Sequence, residues 1–230
     1  MFDIFNGTSA SSVDVLNAMN TAISDQASYN IVAINLSLGD GTSNSTPCTT
    51  SIFSAAVSSA SNAGITTVAA AGNSGSKSGL GNPACTPGVV SVGAVYDAAY
   101  GTVGWVAAAD TNGQCTDTSA ADHVTCFSQS AGYLAMLAPG TFVNAPNPSF
   151  QESGTSQATP HISGAVYDSA SVSSDQFNTA AAGQQTLAIG VPPGNVSDGP
   201  LPPWAYALLA ILMWFIARRQ IEHAAMRLRQ

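Results

Sequence analysis

Apolar positions change period several times along the chain, and each change marks an element. Ser11 and Ser12 precede Val15, Leu16, Met19, Ala22 and Ile23. Spacings of three and four predict an amphipathic helix, with Asp14 in the first turn where the helix dipole favours an acid. Residues 31–39, IVAINLSLG, are almost continuously apolar, the pattern of a strand buried on both faces. Ile52, Phe53, Ala56, Val57, Ala60 and Ala63 return to helical spacing, and Gly64 is placed to end that helix. ITTVAAAGN (65–73), VVSVGAVY (89–96) and YLAMLAPG (133–140) predict three more buried strands. Residues 149–166, SFQESGTSQATPHISGAV, predict a strand end, a tight turn and a helix N-terminus with Pro160 in its first turn. Helices alternating with apolar strands give an α/β domain built on a mainly parallel sheet.

The pattern weakens elsewhere. Residues 101–130 are polar and lie around two cysteines. After about residue 170 the chain turns small and polar, and residues 191–203 hold five prolines, the composition of a linker. WAYALLAILMWFIA (204–217) is apolar for 14 residues and runs directly into Arg218-Arg219. It is shorter than the ~20 residues a span usually needs. Its position after a Pro-rich linker, with Trp204, Tyr206 and Trp214 suited to the interface, favours a membrane segment over a core helix. The expected organisation is an α/β domain at 1–170, a linker at 171–203, a transmembrane segment at 204–217 and a basic cytoplasmic tail at 218–230.

Charge narrows the function classes. Only 8% of residues are charged, and residues 1–203 set twelve acids against the single lysine, Lys77, a net of −11. The last 27 residues set four arginines against Glu222, a net of +3. The body therefore repels nucleic acid, which is bound through clustered Lys and Arg. Cys48, Cys85, Cys115 and Cys126 form no CxxC pair, so a zinc site is not indicated. An even count in an acidic, Ser/Thr-rich chain favours two disulfides and an oxidising compartment. Three pairings are possible; the sequence-local one is 48–85 with 115–126, and four buried free thiols are the alternative. Residues 1–10 have neither the basic start nor the apolar run of a signal peptide. Set beside the export that disulfides imply, this places the expected N-terminus upstream.

The chemistry centres on Ser156. A serine at a turn before a helix exposes its Oγ and lies beside unpaired N–H groups at the helix's positive end, as a nucleophile with an oxyanion site requires. Gly154 would let a substrate backbone approach. The string GTSQATPHISG, 154–164, resembles the serine motif of the subtilisin-like serine peptidases, the subtilases. VAAAGNSG (68–75) resembles the family's oxyanion-asparagine turn, INLSLG (34–39) its substrate-binding strand, and NPACTPGVVSVGAV (82–95) the strand that follows. The four blocks occur in family order across about residues 10–167.

The resemblance implies a three-layer subtilisin-like fold with helices on both faces, and a serine endopeptidase acting on peptide or protein substrates. It implies Ser156 as nucleophile and Asn73 as oxyanion donor. Ser37, Leu38 and Gly39 would pair with the substrate main chain, and Ala70, Ala71 and Gly72 would wall an S1 pocket with room for a large or apolar P1 side chain. It also implies an Asp and a His upstream of these blocks, and no Asp-Ser/Thr-Gly or His-Gly-Thr motif occurs. His123, His161 and His223 do not stand where the family's base stands. The expected partner is therefore a missing N-terminal segment of the same domain, with the N-terminal strands absent from the sheet, and the chain alone is expected to be inactive. The alternative is a non-catalytic, membrane-anchored subtilase-fold relic or binding module. The family often binds Ca²⁺, but no acid-rich loop spells a site here. The Pro-rich spacer, apolar span and Arg pair resemble bacterial C-terminal sorting tails, which implies tethering at the cell envelope or surface.

Overall fold

The computed structural model describes residues 2–7, 9–106, 114–144, 151–167, 178–180 and 184–186. In chain order the elements are α1 (Ser12–Ser24), α2 (Gln26–Tyr29), β1 (Ala33–Leu36), α3 (Ser54–Asn62), β2 (Thr66–Ala70), β3 (Val90–Val95), β4 (Thr102–Trp105) and β5 (Cys115–Thr118). They continue with β6 (Met136–Pro139), β7 (Val143–Asn144), β8 (Gln151–Glu152), α4 (Thr155–Tyr167), β9 (Asn178–Ala180) and β10 (Gln184–Thr186). No helix among the described residues is long and apolar enough to cross a membrane. Of the expected linker at 171–203 only residues 178–180 and 184–186 are described, as β9 and β10; the apolar segment 204–217 and the basic tail 218–230 lie outside the described residues.

Four strands form one parallel sheet in the order β1-β2-β3-β6. Successive residues of a strand face opposite ways, and the two cores divide accordingly. Val68, Val92, Ala94, Met136 and Ala138 meet Ala158 and Ile162 of α4. Their neighbours Ala69, Val95 and Leu137 join Ile34 and Leu36 in the other core, with Val15 and Met19 of α1 and Ala56, Val57 and Ala60 of α3. The result is the three-layer α/β architecture that the sequence predicts.

Local chemistry explains where the elements start. Ser11 caps α1: its Oγ accepts from the Asp14 N–H at 3.1 Å and donates to the Asp14 carboxylate at 2.6 Å. Such a cap contributes about 1 kcal/mol. The helix predicted to begin near Ile52 begins at Ser54, and Ile52 itself is exposed rather than core-facing.

The strand predicted at 31–39 corrects more instructively. β1 covers only Ala33–Leu36, with Ile34 and Leu36 buried and Asn35 exposed. Full burial fails because β1 is an edge of the sheet, paired only with β2. On its open side an apolar cavity of about 500 Å³ is lined by Phe5, Val15, Met19, Ile34 and Leu36 among others.

Within the weakly patterned stretch, β4 and β5 form an antiparallel hairpin. Trp105 packs edge-on against Phe127 and donates its indole N–H to the Tyr96 hydroxyl at 2.6 Å. Both sequence-local disulfides are formed. Cys48–Cys85 joins the loop after β1 to the loop before β3, and Cys115–Cys126 joins β5 to the loop before β6. By chain-entropy reasoning, the 37-residue separation of the first contributes about 4 kcal/mol.

Candidate active site

The site gathers where β1 and β2 end and α4 begins. Ser156 is the second residue of α4 and is half-buried. Its backbone N–H donates to no described residue, because the first N–H groups of a helix have no carbonyl one turn back. Its Oγ has no hydrogen-bond partner among the described residues either.

β2 runs out into Ala71, Gly72 and Asn73. Gly72 has φ +111°, a conformation side chains rarely adopt, and a Cβ there would collide with Gln129 Oε1. The left-handed turn carries Asn73 to the start of α4. There Asn73 Oδ1 accepts from both the Thr155 N–H and the Thr155 hydroxyl, each at 2.9 Å. The same hydroxyl accepts from the Gly72 N–H at 3.2 Å. Two donors on Oδ1 settle which way the amide points, leaving Nδ2 as the free donor. Gly154 admits this arrangement: a Cβ there would stand 2.7 Å from Gln157 Oε1 and 3.2 Å from Asn73 Nδ2.

Pro160 lies in the second turn of α4, not in the first as the sequence pattern predicts. A proline inside a helix removes one i→i−4 bond. The acceptor left over is the Ser156 carbonyl, and Ser37 Oγ fills it at 2.7 Å. Ser37 in turn accepts from Asn35 Nδ2 at 3.0 Å, and Asn35 Oδ1 accepts from Ser163 Oγ at 3.0 Å. A chain of polar contacts thus ties the edge strand β1 to the nucleophile helix.

Leu38, Gly39, Ala70, Gly72, Asn73 and Ser156 share a cavity of about 230 Å³ that also reaches Ser74, Gly81 and Gln129. Ala71 does not line it; its side chain is fully buried in the main core. Leu38 and Gly39 make no main-chain hydrogen bond to a described residue, whereas Asp40 N–H is already taken by the Asn82 carbonyl at 3.0 Å.

Sequence reasoning missed Gln129 and Lys77. Gln129 is almost fully buried, and its Nε2 donates to the carbonyls of Thr42 at 3.0 Å and Gly79 at 3.1 Å. Lys77 is an exposed residue, yet its ammonium donates to the carbonyls of Thr125, Cys126 and Ser128 at 3.1, 3.1 and 2.6 Å. Burial of that ammonium lowers its pKa from the ordinary 10.5 to about 8, with the charge of Asp117 working the other way. The one available signal was that a chain with so few charges keeps a lysine four residues past Asn73.

His161 is exposed on α4, with its Nδ1 3.0 Å from the Gln157 carbonyl. No group of three His, Cys, Asp or Glu side chains among the described residues could hold a metal ion.

Comparison with known proteins identifies relatives of the chain. The model of the subtilase family, Peptidase_S8, matches residues 1–181. Subtilisin from Bacillus pumilus is 34% identical over 158 residues, covering 66% of this chain and 46% of that protein. The alkaline proteinase of Hapsidospora chrysogena is 29% identical over 171 residues, covering 71% of this chain and 35% of that protein. Among solved structures, the patellamide maturation protease PatA superposes with a TM-score of 0.51 at 27% identity, over 71% of this chain and 53% of that one. The chain thus spans between a third and a half of the length of these curated relatives. With its motifs in order and its family model matched over most of its length, the chain belongs to the subtilase family.

Proposed function

We propose that this chain is the nucleophile- and oxyanion-bearing part of a serine endopeptidase that hydrolyses peptide bonds through an acyl-enzyme on Ser156. The observation that carries this reading is the double hold of Thr155 on Asn73 Oδ1, which leaves Asn73 Nδ2 to donate beside the unpaired Ser156 N–H. Oγ of Ser156 attacks the scissile carbonyl. The oxygen that becomes negative takes its two hydrogen bonds from Asn73 Nδ2 and the Ser156 N–H. The main chain of Ser37, Leu38 and Gly39 pairs with the substrate as an added strand, and the cavity lined by Ala70 and Gly72 takes the P1 side chain.

The proton on Oγ has to leave to a base that the described residues do not supply. A further segment carrying the family's Asp and His completes the domain by pairing with the open edge of β1 over its apolar cavity. An edge that buries Ile34 and Leu36 beside such a cavity favours a further strand there. The two disulfides favour an exported protein, and the apolar segment 204–217 with Arg218-Arg219 favours a membrane tether.

A fluorophosphonate probe tests the reading. Supplied with the Asp- and His-bearing segment, the chain labels at Ser156, and Ser156→Ala abolishes the label. No labelling even with that segment present overturns the peptidase reading. That no described residue supplies a base beside Ser156 favours a second reading for the 230-residue chain by itself, a non-catalytic, membrane-anchored relic or binding module. Strong Ser156-dependent labelling of the unsupplemented chain overturns that second reading.

A further inference from the structure

The turn that leads into Ser156 rests on a strained residue. Three non-glycine residues among those described have a positive φ: Asn30, Asp122 and Phe142, the last at +52°. Asn and Asp visit the left-handed region readily. A bulky aromatic does not, and such a conformation persists only where its surroundings impose it.

Phe142 is held from two sides. On its ring side stand Trp105 of β4 and Tyr100 just before β4, with ring centroids 5.4 and 4.7 Å away. Their hairpin is itself fastened, by the Cys115–Cys126 disulfide and by the Trp105 indole N–H on the Tyr96 hydroxyl. On its backbone side Phe142 extends the β7–β8 ladder. Val143 pairs with Glu152, so Phe142 stands opposite Ser153. There a side chain takes over the pairing: the Phe142 N–H donates to Ser153 Oγ at 2.8 Å.

The next residue, Gly154, donates its N–H to the Gly140 carbonyl at 2.8 Å. The two segments lie close, since a Cβ on Gly140 would stand 2.7 Å from the Gly154 carbonyl oxygen. Residues 140–142 thus grip residues 153 and 154 immediately before Thr155 and Ser156.

We propose that Phe142 is a positioning residue for the attack by Ser156. The Tyr100 and Trp105 rings hold its backbone in the left-handed conformation, which aims its N–H at Ser153 and sets the turn that presents the nucleophile. This rests on the peptidase reading and gives the β4–β5 hairpin a part in the reaction.

The test ranks variants by backbone preference rather than by size. It uses the enzyme completed with the Asp- and His-bearing segment. Phe142→Ala lacks the ring and resists the left-handed region; it lowers kcat about tenfold with KM little changed, the scale of one misdirected hydrogen bond. Phe142→Asn also lacks the ring but takes that conformation unaided, so it recovers most of the loss. Trp105→Leu lowers kcat severalfold in the Phe142 chain and has little effect beside Phe142→Asn, where the clasp has nothing left to hold. Should Phe142→Ala fail to fold, Ser153→Ala removes the acceptor alone and costs about the same tenfold. A second readout needs no turnover: in the 230-residue chain the Gly154 amide resonance shifts in Phe142→Ala and returns toward its original position in Phe142→Asn.

Equal losses in the Ala and Asn variants overturn the proposal and leave Phe142 a packing residue. So does an unchanged kcat in Phe142→Ala or Ser153→Ala, and so does an unmoved Gly154 resonance. If the completed enzyme neither labels at Ser156 nor turns over, the peptidase reading fails, and the Gly154 resonance alone decides whether Phe142 sets the turn.

Discussion

On the Asn73 flank of Ser156, three hydrogen bonds converge on Thr155. On the β1 flank, Ser156 Oγ has no partner among the described residues, and the outer edge of the sheet stands over an apolar cavity. In the mechanism proposed above, the first flank stabilises developing charge and is hydrogen-bonded before any substrate arrives, while the second moves a proton and has no base among the described residues. On that reading the two halves of acyl-transfer chemistry are separable at the level of chain segments: preorganised donors come from local turns, and the base comes from a further segment.

Three experiments probe that contrast. The largest effect is expected from completing the second flank. Adding the Asp- and His-bearing segment in trans should raise peptide hydrolysis on the order of 10⁶-fold, the scale established on subtilisin itself for losing the triad serine or histidine. Steady-state turnover with and without the segment measures it, and turnover that is high without the segment would break the contrast. Next is the first flank. In the complemented enzyme, Asn73→Ala should lower kcat by about 10²–10³, a magnitude also established on subtilisin. Thr155→Val, which keeps one of the two bonds to Oδ1, should cost only about tenfold, one hydrogen bond's worth. KM should move little in both. Equal losses from the two variants would show that Thr155 does more than aim the amide.

The smallest effect concerns the anchor of the loop that follows Asn73. Lys77 is the chain's only lysine, so a ¹³Cε-lysine label gives one NMR signal, which should titrate near pH 8. The folded pKa lies below the ordinary one, so the charged form is the one burial disfavours. Its cost to stability is fully present below about pH 8 and is relieved as the pH rises from 8 toward 10.5. Urea midpoints across that window should rise relative to Lys77→Met. A midpoint at 10.5 would mean that the ammonium is solvated and the loop is not clamped.

Much of this was legible in the sequence because it is local. Continuous apolar runs gave β2 and β3 within a few residues, and Ser11 and Asp14 marked the start of α1. The placement of Ser156 at the start of α4 and of Asn73 in the turn after β2 was readable from motifs whose glycines the backbone requires. What was not legible depends on distant neighbours. β1 looked doubly buried because its composition does not say that it is an edge. Pro160 looked like a first-turn residue because its carbonyl partner is satisfied from Ser37, more than a hundred residues away in sequence. Gln129 carried no signal, since its side-chain amide serves the carbonyls of Thr42 and Gly79, both distant in sequence.

The gap that Pro160 leaves in the α4 ladder also has a reading across relatives. A residue with an N–H at position 160 would compete with the Ser37 hydroxyl for the Ser156 carbonyl. Substitutions at 37 and 160 should therefore be correlated: proline beside a hydroxyl donor, or an ordinary helix residue beside a side chain that donates nothing.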